Sequence, residues 1–258
     1  MAIRARMTVI FFLSADKGMM MNVRGLLAQV KYCHLESLMQ VLKTIVFGLS
    51  GNPPTKNHLL FIQHLLRLKG YDLVRVVLNA QSPLKPLEDY IPAESRFELL
   101  EAMLKSALID WNRCVLERLE LERPPPSRMM DTLNTLIARS RQQGISEKIT
   151  LVLGLDALKQ FTDWYEWDAF STLCEIQFYP REDEVMSSEE ITSKLRVLHD
   201  VGIQASVISR RDEVLPMIAG SASKARAHYA SGQSGIPEGI TEIVDKLIRE
   251  HGYYGATR

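Results

Sequence analysis

The sequence predicts an α/β fold: a doubly wound, mostly parallel sheet followed by a C-terminal helical segment. Three observations lead there. From residue 43 onward, short apolar runs of strand length alternate with amphipathic stretches of helix length. Clusters of Gly, Pro, Asn and Ser punctuate the boundaries. The segments between strands are long enough for crossover helices, and strands joined that way run parallel with both faces covered.

The first strand is Thr44 to Leu49 (TIVFGL), a continuous apolar run suited to a buried position. It breaks at Ser50-Gly51-Asn52-Pro53-Pro54, and a helix follows with Leu59, Ile62, Leu65 and Leu66 on one face and Gly70 as its stop. Leu73 to Leu78 is the second strand. A loop with Pro83, Pro86 and Pro92 leads into a helix that aligns Phe97, Leu100, Leu104 and Ala107. Cys114 to Leu116 is strand-like and precedes a helix from about Ser127 to Gln143. Further strands are expected at Ile149 to Leu153, Glu175 to Tyr179 and Ala205 to Ile208, with a helix from Glu189 to His199 before the last. Helices at Ser221–Ser231 and Pro237–Glu250 complete the C-terminal segment.

Composition excludes several classes of function. The 258 residues carry 31 Lys+Arg against 31 Asp+Glu, and this zero balance argues against a general nucleic-acid binder. No apolar run approaches the roughly 20 residues that span a bilayer, so no membrane role is expected. Cys33, Cys114 and Cys174 are far apart, which suits a reducing cytoplasm rather than a disulfide framework.

Residues 1–42 are expected to be an N-terminal extension to a single domain at 43–258. Leu26, Val30, Cys33 and Leu38 recur at near-helical spacing, which predicts an amphipathic helix there. Initiation at Met19, Met20, Met21 or Met39 is the other reading. The apolar stretch Val9 to Leu13 is short, and Asp16-Lys17 stands where an export signal would have its small-residue cleavage site.

In parallel α/β sheets, ligands bind outside the carboxyl ends of the strands. The first strand end runs Gly48-Leu49-Ser50-Gly51-Asn52-Pro53-Pro54-Thr55-Lys56-Asn57-His58. Small residues there admit a ligand close to the backbone. Thr55 is an N-cap candidate, which puts His58 at the third helical position, beside free N–H groups that attract an anion. The same residues also fit a capped helix with a surface histidine. Gly154 and Asp156 follow a buried strand, so the carboxylate is suited either to a ribose hydroxyl or to capping the short helix behind it. Ser221, Ser223 and Arg226 open a helix and combine hydroxyls, backbone N–H groups and a guanidinium, a phosphate site or an ordinary serine cap with a solvated arginine.

These segments together resemble the nucleotidyltransferase α/β phosphodiesterase superfamily, whose signature is G-x-F-x-P-x-[HT]-x-x-H. Aligned on Pro53 and His58, Leu49 stands at the signature glycine, just after Gly48, and Gly51 stands at the aromatic. Thr55 takes the first histidine position, Asn57 replaces a common Gly, and the phosphate-contacting histidine is His58. Later segments resemble the nicotinate mononucleotide adenylyltransferases within it. Gly154 to Leu158 with Phe161 to Tyr165 matches a GxDxL…W segment, and Ser127 to Leu133 matches an SYTxDTL helix start with Arg128 and Met129 replacing Tyr and Thr. Asn79 to Pro86 is similar to a PPHK loop, with Lys85 kept and Leu84 where His is usual. Ser221 to Arg226 and the Pro237…Tyr254 tail resemble the family's ending.

The resemblance implies a Rossmann-like nucleotidyltransferase fold. It implies adenylyl transfer from ATP to nicotinate mononucleotide, with release of pyrophosphate, in NAD biosynthesis. His58 and Thr55 would act catalytically, Ser221, Ser223 and Arg226 would hold ATP phosphates, and Gly48, Gly154 and Asp156 the adenosine and its ribose. Asn79, Lys85 and Trp164 would hold the mononucleotide, with Trp164 stacked on the pyridine ring. Mg²⁺ would ride on substrate phosphates, because no His/Cys/Asp/Glu cluster has metal-ligand spacing. The alternatives are a nicotinamide mononucleotide or other phosphorylated acceptor, or a nucleotide-binding paralogue inactivated by the departures at Leu49, Gly51, Asn57, Leu84, Arg128 and Met129. Trp164 and Trp167 are three apart and expected to share a helix face. Trp167 and Trp111 are read as core residues, and His34, His64, His199, His228 and His251 as structural.

Overall fold

A computed structural model of the chain describes residues 41–81, 90–180, 186–208 and 220–257. Within them the strands are β1 (Leu42–Leu49), β2 (Leu73–Leu78), β3 (Cys114–Glu117), β4 (Glu147–Gly154), β5 (Cys174–Tyr179) and β6 (Ala205–Val207). The helices are α1 (Lys56–Arg67), α2 (Ala93–Ser106), α3 (Met129–Gln142), α4 (Leu155–Lys159), α5 (Ser188–Asp200), α6 (Ala222–Ala230) and α7 (Glu242–His251), with 3₁₀ turns at Phe161–Asp163, Trp167–Thr172 and Tyr253–Gly255.

The strands form one sheet in the order β3-β2-β1-β4-β5-β6, and every neighbouring pair is parallel. Period-two alternation explains how a continuous apolar strand serves two cores at once. Ile45, Phe47 and Leu49 of β1 face α1, α2 and α7 together with Val74, Val76 and Leu78 of β2. Val46 and Val77 point the other way, into a layer built by α3, α4, α5 and the aromatic cluster of Phe161, Phe170 and Phe178. Burying side chains of this size stabilises the fold by about 1.5–3 kcal/mol each.

The chain moves outward from β1 to β2 and β3, then returns to place β4 on the other side of β1. Strand order therefore reverses between β1 and β4, and a crevice opens there at the carboxyl ends. This is the doubly wound arrangement expected from the sequence.

Some expectations fail in detail. The last helix begins at Glu242 rather than Pro237, because Gly239 takes φ +82° and Ile240 turns back to bond the Pro237 carbonyl at 3.1 Å. Trp164 and Trp167 do not share a helix face. Trp164 is extended at φ −74° and ψ 146°, and Glu166 is left-handed, so two separate 3₁₀ turns replace one helix. Trp111 is 43% exposed in the turn before β3 rather than in the core. The readings made for residues 1–40, Lys85 and Leu84 lie outside the described residues.

Candidate active site

The loop after β1 starts the cleft. Gly51 adopts φ +55°, and a Cβ there would sit 2.9 Å from Leu78 Cδ1, so glycine answers both a left-handed turn and a close approach. Thr55 is the N-cap of α1, and His58 is the third residue of the helix, completing a capping box. His58 Nδ1 accepts the Thr55 main-chain N–H at 3.0 Å and lies 2.9 Å from Thr55 Oγ1. A main-chain N–H can only donate, so Nδ1 is an acceptor and the proton of the neutral ring sits on Nε2. The cap thus fixes both the ring's position and its tautomer.

The opposite wall follows β4. Gly154 is the N-cap of α4, and Asp156 stands in its first turn. Trp164 packs on Phe161 (centroids 5.0 Å apart) and Phe170 (6.2 Å). Its Nε1 is buried without a hydrogen-bond partner among the described residues, as is Asn79 Oδ1 after β2. Buried polar atoms left so are costly unless a ligand or water meets them.

The third wall comes from the C-terminal segment. Ser221 caps α6 by accepting the Lys224 N–H at 3.2 Å. Arg226, one turn on, donates from Nη1 to the Asn52 carbonyl at 2.7 Å, and its Nη2 lies 3.5 Å from Ser223 Oγ. Further bonds tie this segment to the β1 loop. Lys56 N–H donates to the Gly239 carbonyl at 2.7 Å, and Tyr254 OH donates to Asn52 Oδ1 at the same distance. Asn57 Nδ2 reaches the Gly220 carbonyl at 3.5 Å. Gly220 itself, at φ +106°, has no room for a side chain, because a Cβ would lie 2.2 Å from the Glu238 carbonyl oxygen.

The three walls enclose one cleft of about 970 Å³. Thr55, His58, Ser221, Ser223 and Arg226 line it, and so do Gly48, Asn79, Gly154, Asp156 and Trp164. Lys56 is not in that lining, and His64 instead packs its ring near Phe61 and Tyr179. The arrangement offers an imidazole donor, a guanidinium, the N-termini of α1 and α6, and an indole in one cleft. That is a chemistry for a polyphosphate joined to flat rings.

A sequence model of the cytidylyltransferase-like family matches residues 47–223. The chain belongs to that family. Among its relatives, a probable nicotinate-nucleotide adenylyltransferase of Synechococcus sp. is 27% identical over 209 residues, 81% of this chain and 95% of that one. The nicotinate-nucleotide adenylyltransferase of Bacillus subtilis is 32% identical over 133 residues, 52% of this chain and 65% of that one. The fold is that of Plasmodium falciparum nicotinic acid mononucleotide adenylyltransferase, solved in complex with NaAD, at a TM-score of 0.65 and 15% identity. The match covers 84% of this chain and 98% of that one.

Three residues in or beside this cytidylyltransferase-like cleft have little or no sequence signature: Glu120 and Tyr90 line it, and Arg96 lies behind its loops. Arg96 is 1% exposed and donates to the carbonyls of Ser50, Asn79 and Ala80, tying the loops after β1 and β2 together, and to that of Ile91. Burial lowers its pKa, with the nearby Tyr90, Tyr254 and Glu120 pulling the other way. Glu120 lines the cleft almost fully buried, accepting from Thr132 Oγ1 at 2.8 Å and from the Ala80 N–H at 3.3 Å. Tyr90 lines it too, with its OH 3.4 Å from Ser50 Oγ. The one signal for Arg96 is its place beside Phe97 on an otherwise apolar stripe. Glu120 lies in a charged run that reads as solvated surface.

Proposed function

We propose that this chain transfers the adenylyl group of ATP to nicotinate mononucleotide, giving nicotinate adenine dinucleotide and pyrophosphate in NAD biosynthesis. The observation that carries the reading is the convergence of His58 and Arg226 on one cleft at the sheet's switch point. The names of the relatives agree with it. So does the accommodation of departures from the family pattern: Gly51 fits a left-handed turn that would strain most side chains, and Asn57 reaches the C-terminal segment.

In the proposed reaction the acceptor's phosphate oxygen attacks the α-phosphorus of ATP as the bond to the bridging oxygen breaks, and pyrophosphate leaves. A phosphate monoester already carries the needed negative charge near neutral pH, so no strong general base is required. The work left to the chain is in-line positioning and neutralisation of developing charge. His58 Nε2–H serves the α-phosphate, and Thr55 assists it by holding Nδ1 through its main-chain N–H and its hydroxyl. Ser221, Ser223 and Arg226 hold the leaving pyrophosphate. Gly48, Gly154 and Asp156 take the adenosine and its ribose, while Asn79, Lys85 and Trp164 take the mononucleotide.

Among the described residues no group of His, Cys, Asp or Glu could hold a metal. Hydroxyls, an imidazole and a guanidinium fit a magnesium ion carried by ATP's own phosphates, where it would neutralise charge on the leaving group. A cytoplasmic setting suits Cys114 and Cys174, which are both free thiols. No helix among the described residues is long and apolar enough to cross a membrane.

The test is pyrophosphate release from ATP and Mg²⁺ across a panel of phosphorylated acceptors. Release with nicotinate mononucleotide, and dinucleotide of the matching mass, is expected. Tight ATP binding by calorimetry without release on any acceptor would instead mark a binding protein without catalysis.

A further inference from the structure

Pyridine mononucleotides carry a carboxylate or a neutral carboxamide on the ring, and one side chain of the cleft is suited to telling these apart. Arg128 is half-buried, lines the cleft and directly precedes α3. Its guanidinium lies over the Tyr165 ring, 4.1 Å from the centroid. Tyr165 follows Trp164, the proposed platform for the pyridine ring, and both line the same wall.

What sets Arg128 apart is what it does not bond. Arg75 is held by Glu117 and Glu147, Arg96 and Arg113 by main-chain carbonyls, Arg249 by Asp245, and Arg226 by Asn52. Each of those guanidiniums has its acceptor within the fold. Arg128 has no carboxylate or carbonyl partner among the described residues; an aromatic face orients it and leaves its N–H donors for a ligand. A half-buried guanidinium without an anion is poorly compensated, and a carboxylate would meet it with a planar, paired geometry that a carboxamide cannot match.

Resting on the reading of the substrate given above, we infer that Arg128 sets acceptor specificity, pairing with the ring carboxylate of an acid mononucleotide and so disfavouring the amide. Each of the two charge-assisted bonds is roughly twice as strong as a neutral one, and together they correspond to about ten- to hundredfold in the ratio of kcat/KM for the two acceptors.

The experiment measures that ratio, nicotinate over nicotinamide mononucleotide, for the wild type, Arg128→Met and Arg128→Lys, with the melting midpoint of each confirming that it folds. For Arg128→Met the ratio is expected to fall at least tenfold, mostly through KM for the acid, while KM for ATP moves far less. Arg128→Lys keeps the charge without the planar fork and should fall between. An unchanged ratio, or a rise in KM for ATP matching that for the acid, overturns the inference. A wild type that uses neither mononucleotide overturns the underlying reading instead, and the two failures are told apart by the wild-type assay alone.

Discussion

Arg226 donates to the main-chain carbonyl of Asn52 across 174 residues of sequence, at 2.7 Å. The bond holds a guanidinium of α6 against the loop that presents α1, and Tyr254 buttresses the same asparagine from the tail through its Oδ1. Replacing Arg226 by Met should therefore lower kcat/KM for ATP by about a hundredfold, the usual loss for a charged donor aimed at a phosphate. Tyr254→Phe removes only the buttress. Steady-state kinetics should show a rise in KM for ATP of a few fold with kcat nearly unchanged. Equal losses in the two variants would mean that the tail itself enters the chemistry.

His58 has two jobs that a single substitution separates poorly. Its Nδ1 caps α1, and its Nε2–H is the proposed donor to the α-phosphate. His58→Ala should cost about 1 kcal/mol of stability through the lost cap and a hundredfold or more in kcat through the lost donor. His58→Gln provides the control, because a glutamine at the third helical position can restore the capping box. Urea midpoints should then return toward wild type while kcat stays low. Turnover near normal in either variant would refute the catalytic assignment.

The contrast between His58 and Arg96 shows what was legible beforehand. Thr55 and His58 were readable because a cap is a local device: three residues of spacing fix the geometry. The strand ends were readable because a parallel sheet buries continuous apolar runs, and its switch point is where ligands collect. Arg96 was not, because its partners are main-chain carbonyls contributed by two loops, after β1 and after β2, and carbonyls leave no mark in a sequence. Trp164 was placed in the cleft by its resemblance to relatives, but a shared face with Trp167 assumed a helix that the left-handed Glu166 breaks. Trp111 departs from the core position expected of a large apolar side chain because it sits in the turn before an edge strand.

Arg96 yields the strongest stability prediction. Arg96→Met is close in volume but leaves the part-buried carbonyls of Ser50, Asn79 and Ala80 without the guanidinium donors. The loss should reach at least ~3 kcal/mol, or a fall of about 10 °C in the melting midpoint for a domain of this size. Calorimetry measures it directly. A shift within a degree or two would mean that water replaces the guanidinium and that the loops hold themselves.

The cysteines supply a prediction in pH. Burial pushes the Cys114 thiol up to about 11, aided by the nearby Asp110, and Cys174 up to about 12. Both should stay protonated at pH 8 and resist thiol reagents in the native state. In a Cys33→Ser background, dithionitrobenzoate should therefore label neither until the chain is unfolded. The same shifts bear on stability. An unfolded thiol gives up its proton near pH 9, while the folded one keeps it, so the unfolded state binds fewer protons and stability falls as pH rises. The contribution of Cys114 is whole below about pH 9 and is lost as pH climbs to about 11. Cys114→Ala should accordingly show a smaller drop in urea midpoint between those two pH values than the wild type. Identical drops would mean that the thiol is solvated in the folded chain, contrary to its place in the core cluster beside β2 and against α2.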